Sequence, residues 1–158
     1  MPHPSHDLQQ AEAAISDVIQ SLIDSQEALV EIGEKLENPT LKRYFLAESL
    51  KRAQFRGELE SVLNQEGVSD LRETGTAAGT MQRIWAGLKS KLGGGDRTLL
   101  ATAEEGEDAA REIYDSAMSR YLPLPIRQLL TSQAAHIQMS HDFVKAARDR
   151  TSQNQHAA

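Results

Sequence analysis

At 158 residues, with 39% hydrophobic and 25% charged side chains, the chain has enough apolar surface for one folded domain and lies outside the disordered and membrane classes. The absence of cysteine excludes disulfides, thiolate metal sites and cysteine nucleophiles, and a formal charge of −6 argues against a nucleic-acid partner, whose phosphates call for clustered Lys and Arg. No apolar run approaches the roughly 20 residues of a membrane helix, and Met1-Pro2-His3-Pro4-Ser5-His6 lacks the basic and apolar regions of a signal peptide, so a cytoplasmic protein without membrane contact is expected.

Asp7, with Gln10 three residues on, has the pattern of an N-cap, and apolar residues then recur at helical spacing as far as Leu36, which predicts a first helix over about 8–37. Asn38-Pro39 supplies a capping side chain followed by the ring suited to a first helical position, so a second helix starts at once and runs to about Gln65, where Gly67 stops it. So short a link makes these helices antiparallel neighbours. Between Gly75 and Gly93-Gly94-Gly95, the residues Met81, Ile84, Trp85, Leu88 and Leu92 share a face and predict a short crossover helix docked on the others. The triple glycine is a linker, since no strand precedes it and no Gly-Lys-Ser/Thr follows.

Asp96 is placed to cap a third long helix from Arg97 to about Tyr121, and Pro123 and Pro125 break the chain before a fourth over about 126–149. These two form a second hairpin, and the long crossover allows the second and third long helices to run parallel. The expected organisation is one domain over 1–150 with a polar, frayed tail over 151–158. His3, His6 and His156 lie near the termini and support no site.

Each long helix carries a polar residue on its apolar stripe. Gln26 interrupts Ile15, Ile19, Leu22, Leu29, Gly33 and Leu36 in the first helix. In the second, Glu48 and Arg52 sit four apart at the centre of Leu41, Phe45, Phe55, Leu59 and Val62, the spacing of an ion pair. Glu107 stands among Ala103, Ala110, Tyr114, Ala117 and Tyr121, and His141 flanks Ile126, Leu130, Ile137 and Val144. Counted outward from the two tight turns, these positions fall near mid-height, with Gln26 level with Lys51 and Arg52 and Glu107 level with Gln138. The expectation is a polar layer of Gln26, Glu48, Arg52, Gln54, Glu107, Gln138 and His141 in which His141 pairs with Glu107, although Arg111 is also spaced to pair with Glu107.

Two helical hairpins joined by a long crossover resemble the ferritin-like superfamily. Asn38-Pro39-Thr40-Leu41-Lys42, Arg52-Ala53-Gln54-Phe55 with Glu58-Leu59, and Gly106-Glu107-Asp108-Ala109-Ala110 resemble more closely a bacterial ferritin-like family of unknown function, over about residues 15 to 150. The resemblance implies an all-α four-helix bundle and, in the superfamily, two metal ions held by one Glu on two helices and a Glu-x-x-His on the others. Carried across, Gln26 stands where the first helix would supply Glu. The second-helix slot reads Lys51 to Gln54 or Glu48 to Lys51, and the fourth reads Gln138 to His141. Glu107 and His141 keep the ligand types, with Glu48 as a third metal candidate, and so few anionic ligands leave most of about four metal charges uncompensated. The resulting expectation is a noncatalytic, ferritin-like structural or interaction protein, homo-oligomeric as a dimer and without a resident cofactor, its association with stress carried by the resemblance alone. The alternative is a di-iron or di-manganese carboxylate protein, an oxidoreductase or iron handler.

Overall fold

The computed structural model describes the backbone of residues 4–68 and 76–157 and the side chains of residues 11–68 and 81–151. The described residues form helices and turns and contain no strand. Helix α1 spans Pro4–Lys35, α2 Pro39–Gln65, α3 Thr76–Ala86, α4 Leu88–Lys91, α5 Gly95–Met118 and α6 Leu124–Ala157. Among these, no helix is long and apolar enough to cross a membrane. The Gly75 boundary lies outside the described residues.

The punctuation of α2 follows the sequence closely. Asn38 Oδ1 accepts from Thr40 N at 2.9 Å and Leu41 N at 3.0 Å, and Pro39 opens the helix. At the other end Gly67 adopts φ 83°, and Val68 N reaches Leu63 O at 2.9 Å while Gly67 N reaches Asn64 O at 3.1 Å. That pair of bonds satisfies two terminal carbonyls and requires the left-handed backbone that glycine adopts without strain.

Other boundaries move. Helix α1 begins at Pro4, so Asp7 lies within it and does not cap it. The crossover is divided at Gly87 into α3 and the single turn α4, where one helix was expected. Helix α5 ends at Met118, three residues before the expected end, and the Arg127 guanidinium secures the following turn by donating to Met118 O at 2.8 Å and Arg120 O at 2.6 Å. Helix α6 continues to Ala157 through the segment expected to be a frayed tail, and Thr151 Oγ1 donates to Ala147 O at 2.8 Å.

Asp96 does not cap its own helix. Its carboxylate accepts from Glu37 N at 2.8 Å and Asn38 N at 3.0 Å, which ties the start of α5 to the α1–α2 turn. These amides are otherwise the open donors of the turn, so a tertiary contact satisfies what a local cap would have left to solvent.

Helix α1 packs on α2 and α5, and α6 packs on α5 and α2. Ala11 to Leu22 of α1 share an apolar cluster with Phe55 to Leu63 of α2, Ala109 to Ala117 of α5 and Ile126 to Ile137 of α6. A second cluster joins Ala28 to Leu36, Leu41 and Phe45, Leu99 to Ala103, and Val144 with Ala147. Early α1 and early α6 therefore meet late α2 and late α5, so α1 and α6 run one way and α2 and α5 the other. The crossover returns the chain to the end at which α2 began. Trp85 of α3 packs on α5 at Gly106, where an added Cβ would collide with Trp85 Cη2 and Cζ2.

Candidate functional site

The polar residues at mid-height separate the two apolar clusters. Their centre is Arg52, whose side chain is fully buried. Its Nη1 donates to Glu107 Oε1 at 2.9 Å and its Nη2 to Glu107 Oε2 at 2.6 Å, while Nη2 also reaches Glu48 Oε2 at 3.3 Å. The paired bonds to Glu107 match the planar fork of a guanidinium to the two oxygens of a carboxylate, the strongest neutral-pH pairing that side chains offer. Burial opposes the charge on Arg52, but Glu107 and then Glu48 outweigh it and hold the guanidinium protonated more firmly than in water.

The sequence predicts the Glu48–Arg52 pair, and one turn of α2 delivers it. It also assigns partners that the structure exchanges. Glu107 meets Arg52, not His141 or Arg111. Arg111 pairs instead with Asp108 at 3.2 Å. His136, five residues before His141 on α6, occupies the fourth-helix position beside the network, with Nε2 2.8 Å from Glu48 Oε1 and its ring edge-on to Phe55 at 5.2 Å between centroids.

Gln133 extends the layer and was not singled out by the sequence. It is buried, its Oε1 accepts from the Tyr114 hydroxyl at 2.7 Å, and its Nε2 donates to Phe55 O at 3.0 Å, so α6 bridges α5 to α2 with both amide atoms satisfied. Burial pushes the Tyr114 phenol well above its ordinary range. Tyr44 stacks on Phe143 with centroids 3.9 Å apart and hydrogen-bonds Ser140, and burial raises its phenol to about 12.

Three glutamines expected in the layer stand elsewhere. Gln54 is exposed on α2, Gln26 is half-buried, and Gln138 donates to Asp142 Oδ1 at 2.9 Å on the outer face of α6. Ser25 takes the inward position in α1 that was assigned to Gln26. Tyr121 lies beyond the end of α5 and is 86% exposed, so it contributes nothing to the seam.

His141 forms a separate group at the α5–α6 junction. Its Nε2 lies 2.9 Å from Asp108 Oδ1 and 3.9 Å from Glu104 Oε1, and its Nδ1 lies 3.1 Å from Asp142 Oδ1. The hydrogen bond with His141 holds the Asp142 carboxyl below its usual range. Glu104 Oε2 is paired with the Arg148 guanidinium. The three candidate metal residues named from sequence therefore divide, Glu48 and Glu107 around Arg52 and His141 among other carboxylates.

Residues 10–120 match the family described as a domain of unknown function, DUF2383. No curated protein matches the chain. The matched region holds Glu48, Arg52, Glu104, Glu107 and Asp108, whereas His136 and His141 lie beyond it. Because the match spans well over half of the sequence, the chain belongs to the DUF2383 family.

Proposed function

We propose that this protein is a noncatalytic, ferritin-like four-helix bundle serving as a structural or interaction module, in which a buried ion network stands where the wider superfamily holds two metal ions. One observation carries the reading: Arg52, fully buried, engages both oxygens of Glu107 and one of Glu48. The guanidinium places one permanent positive charge between the two carboxylates of Glu48 and Glu107, and it takes up the lone pairs through which those carboxylates would ligate a metal. Among the described residues, His136 is the one further side chain of ligand type against this network, and the other positions do not complete a dinuclear centre. Ser25 stands at the inward position of α1, Gln54 is exposed, and His141 faces away to Asp108. The order of α1, α2, α5 and α6, with α2 parallel to α5 across a long crossover, supports the ferritin-like arrangement.

Addition of ferrous iron to the purified chain under argon, followed by air, tests the reading. Oxygen uptake should match the protein-free blank. Uptake above the blank that Glu107→Gln abolishes in a folded variant would reverse the conclusion in favour of a di-iron carboxylate protein.

A further inference from the structure

We infer that the α5–α6 junction carries a mononuclear site for a divalent transition cation of the zinc class, formed by Glu104, Asp108 and His141. One atom from each of the three residues can be chosen so that all lie within 4.8 Å of one another. His141 Nε2 stands 2.9 Å from Asp108 Oδ1 and 3.9 Å from Glu104 Oε1. Tetrahedral zinc, with bonds of about 2.0–2.2 Å, separates its ligands by roughly 3.3–3.6 Å. The two distances from the imidazole bracket that range, so small side-chain rotations open the space between the three atoms without moving either helix.

The chemistry of the set favours a transition cation over magnesium or calcium. Magnesium and calcium take oxygen ligands almost alone, while an imidazole nitrogen with two carboxylates suits zinc, ferrous iron or manganese. The His141 side chain is only 10% exposed, which fixes its ring with Nε2 towards the two carboxylates. Its other nitrogen rests against Asp142, the carboxylate–imidazole arrangement that fixes the ring orientation of a metal-binding histidine. Arg148 holds Glu104 through Oε2 and leaves Oε1 on the side of His141.

Charge points the same way. Glu104, Asp108, Asp142 and Asp149 bring four negative charges and Arg111 and Arg148 two positive ones, which leaves two negative charges around the imidazole. A divalent cation neutralises that excess. Asp108 is half-exposed, so the site opens to solvent and has an entry path. The site goes beyond the proposed reading of the core and does not depend on it.

Isothermal titration of zinc chloride into the full chain tests the proposal. His3→Ala, His6→Ala and His156→Ala form the background, because terminal histidines bind zinc themselves. One equivalent should bind. Asp108→Asn and His141→Ala should each weaken binding at least about tenfold, Asp142→Asn should weaken it about tenfold through the orientation of His141, and Glu107→Gln should leave it unchanged. Circular dichroism without metal confirms that each variant keeps its helices. Failure to observe saturable binding in the background chain, or equal affinity in the folded Asp108→Asn and His141→Ala variants, would overturn the site.

Discussion

Arg52 and Glu107 face each other across α2 and α5 through two parallel hydrogen bonds of 2.9 and 2.6 Å, with both side chains wholly buried. Such a pair contributes less to stability than its geometry suggests, because both charges were taken from water, but each partner depends strongly on the other. Arg52→Met should leave Glu107 as an uncompensated buried carboxylate, and Glu48 with His136 alone, and cost about 3–5 kcal/mol in urea unfolding at neutral pH. Adding Glu107→Leu to Arg52→Met should recover a large part of that loss. A double variant no more stable than Arg52→Met alone would show that the loss came from packing volume and not from stranded charge.

The close approach of Trp85 to Gly106 makes the crossover sensitive to a single methyl group. Gly106→Ala should displace the indole, shift the emission of the single tryptophan to longer wavelength, and cost about 1–3 kcal/mol as an overpacked position does. Unchanged emission would place Trp85 off the α5 surface.

Asp96 joins two ends of the molecule that are distant in sequence. Asp96→Ala removes the acceptor for Glu37 N and Asn38 N and should cost about 1 kcal/mol, the scale of a lost cap, with Asp96→Asn costing less. A thermal unfolding midpoint equal to that of the parent chain would show that water replaces the carboxylate without loss.

Alkaline stability follows from Tyr44. Burial raises its phenol from 10.0 to about 12, so the folded state holds this proton more tightly than the unfolded state does. The contribution is present in full below pH 10 and is lost as pH rises towards 12. The chain should therefore lose stability across that interval, and Tyr44→Phe should flatten the loss in denaturant titrations at pH 9, 10 and 11. An unaltered slope would assign the alkaline loss to other groups.

Much of the helical organisation was legible in sequence because its causes are local. Asn38-Pro39 and Gly67 set the limits of α2 through bonds that span no more than five positions, and Leu41, Phe45, Glu48, Arg52, Phe55 and Leu59 keep one phase along it. What the sequence concealed turns on single-residue steps of about 100°. In α1, Ile15 and Leu22 fit two phases; tertiary packing buries Val18 and Ser25 more fully than Ile19 and Gln26. On α5, Glu107 and Asp108 are neighbours in sequence but face different helices, which is why His141 meets the second and Arg52 the first. Gln133 and Ser140 did leave a signal. They fill the alternating three- and four-residue spacing between Leu130, Ile137 and Val144, and a reading confined to apolar residues passes over them. Asp96 left none, since its partners lie at Glu37 and Asn38.

The metal content of the Asp108→Asn variant, purified without added metal or chelator and measured by plasma mass spectrometry, addresses the core most directly. This substitution disables the α5–α6 site and leaves Glu48, Arg52 and Glu107 in place, so any bound iron or manganese must be held elsewhere. The ion network predicts neither metal at near-stoichiometric level. Two equivalents of iron or manganese in the folded variant, lost on the further change Glu107→Gln, would contradict it.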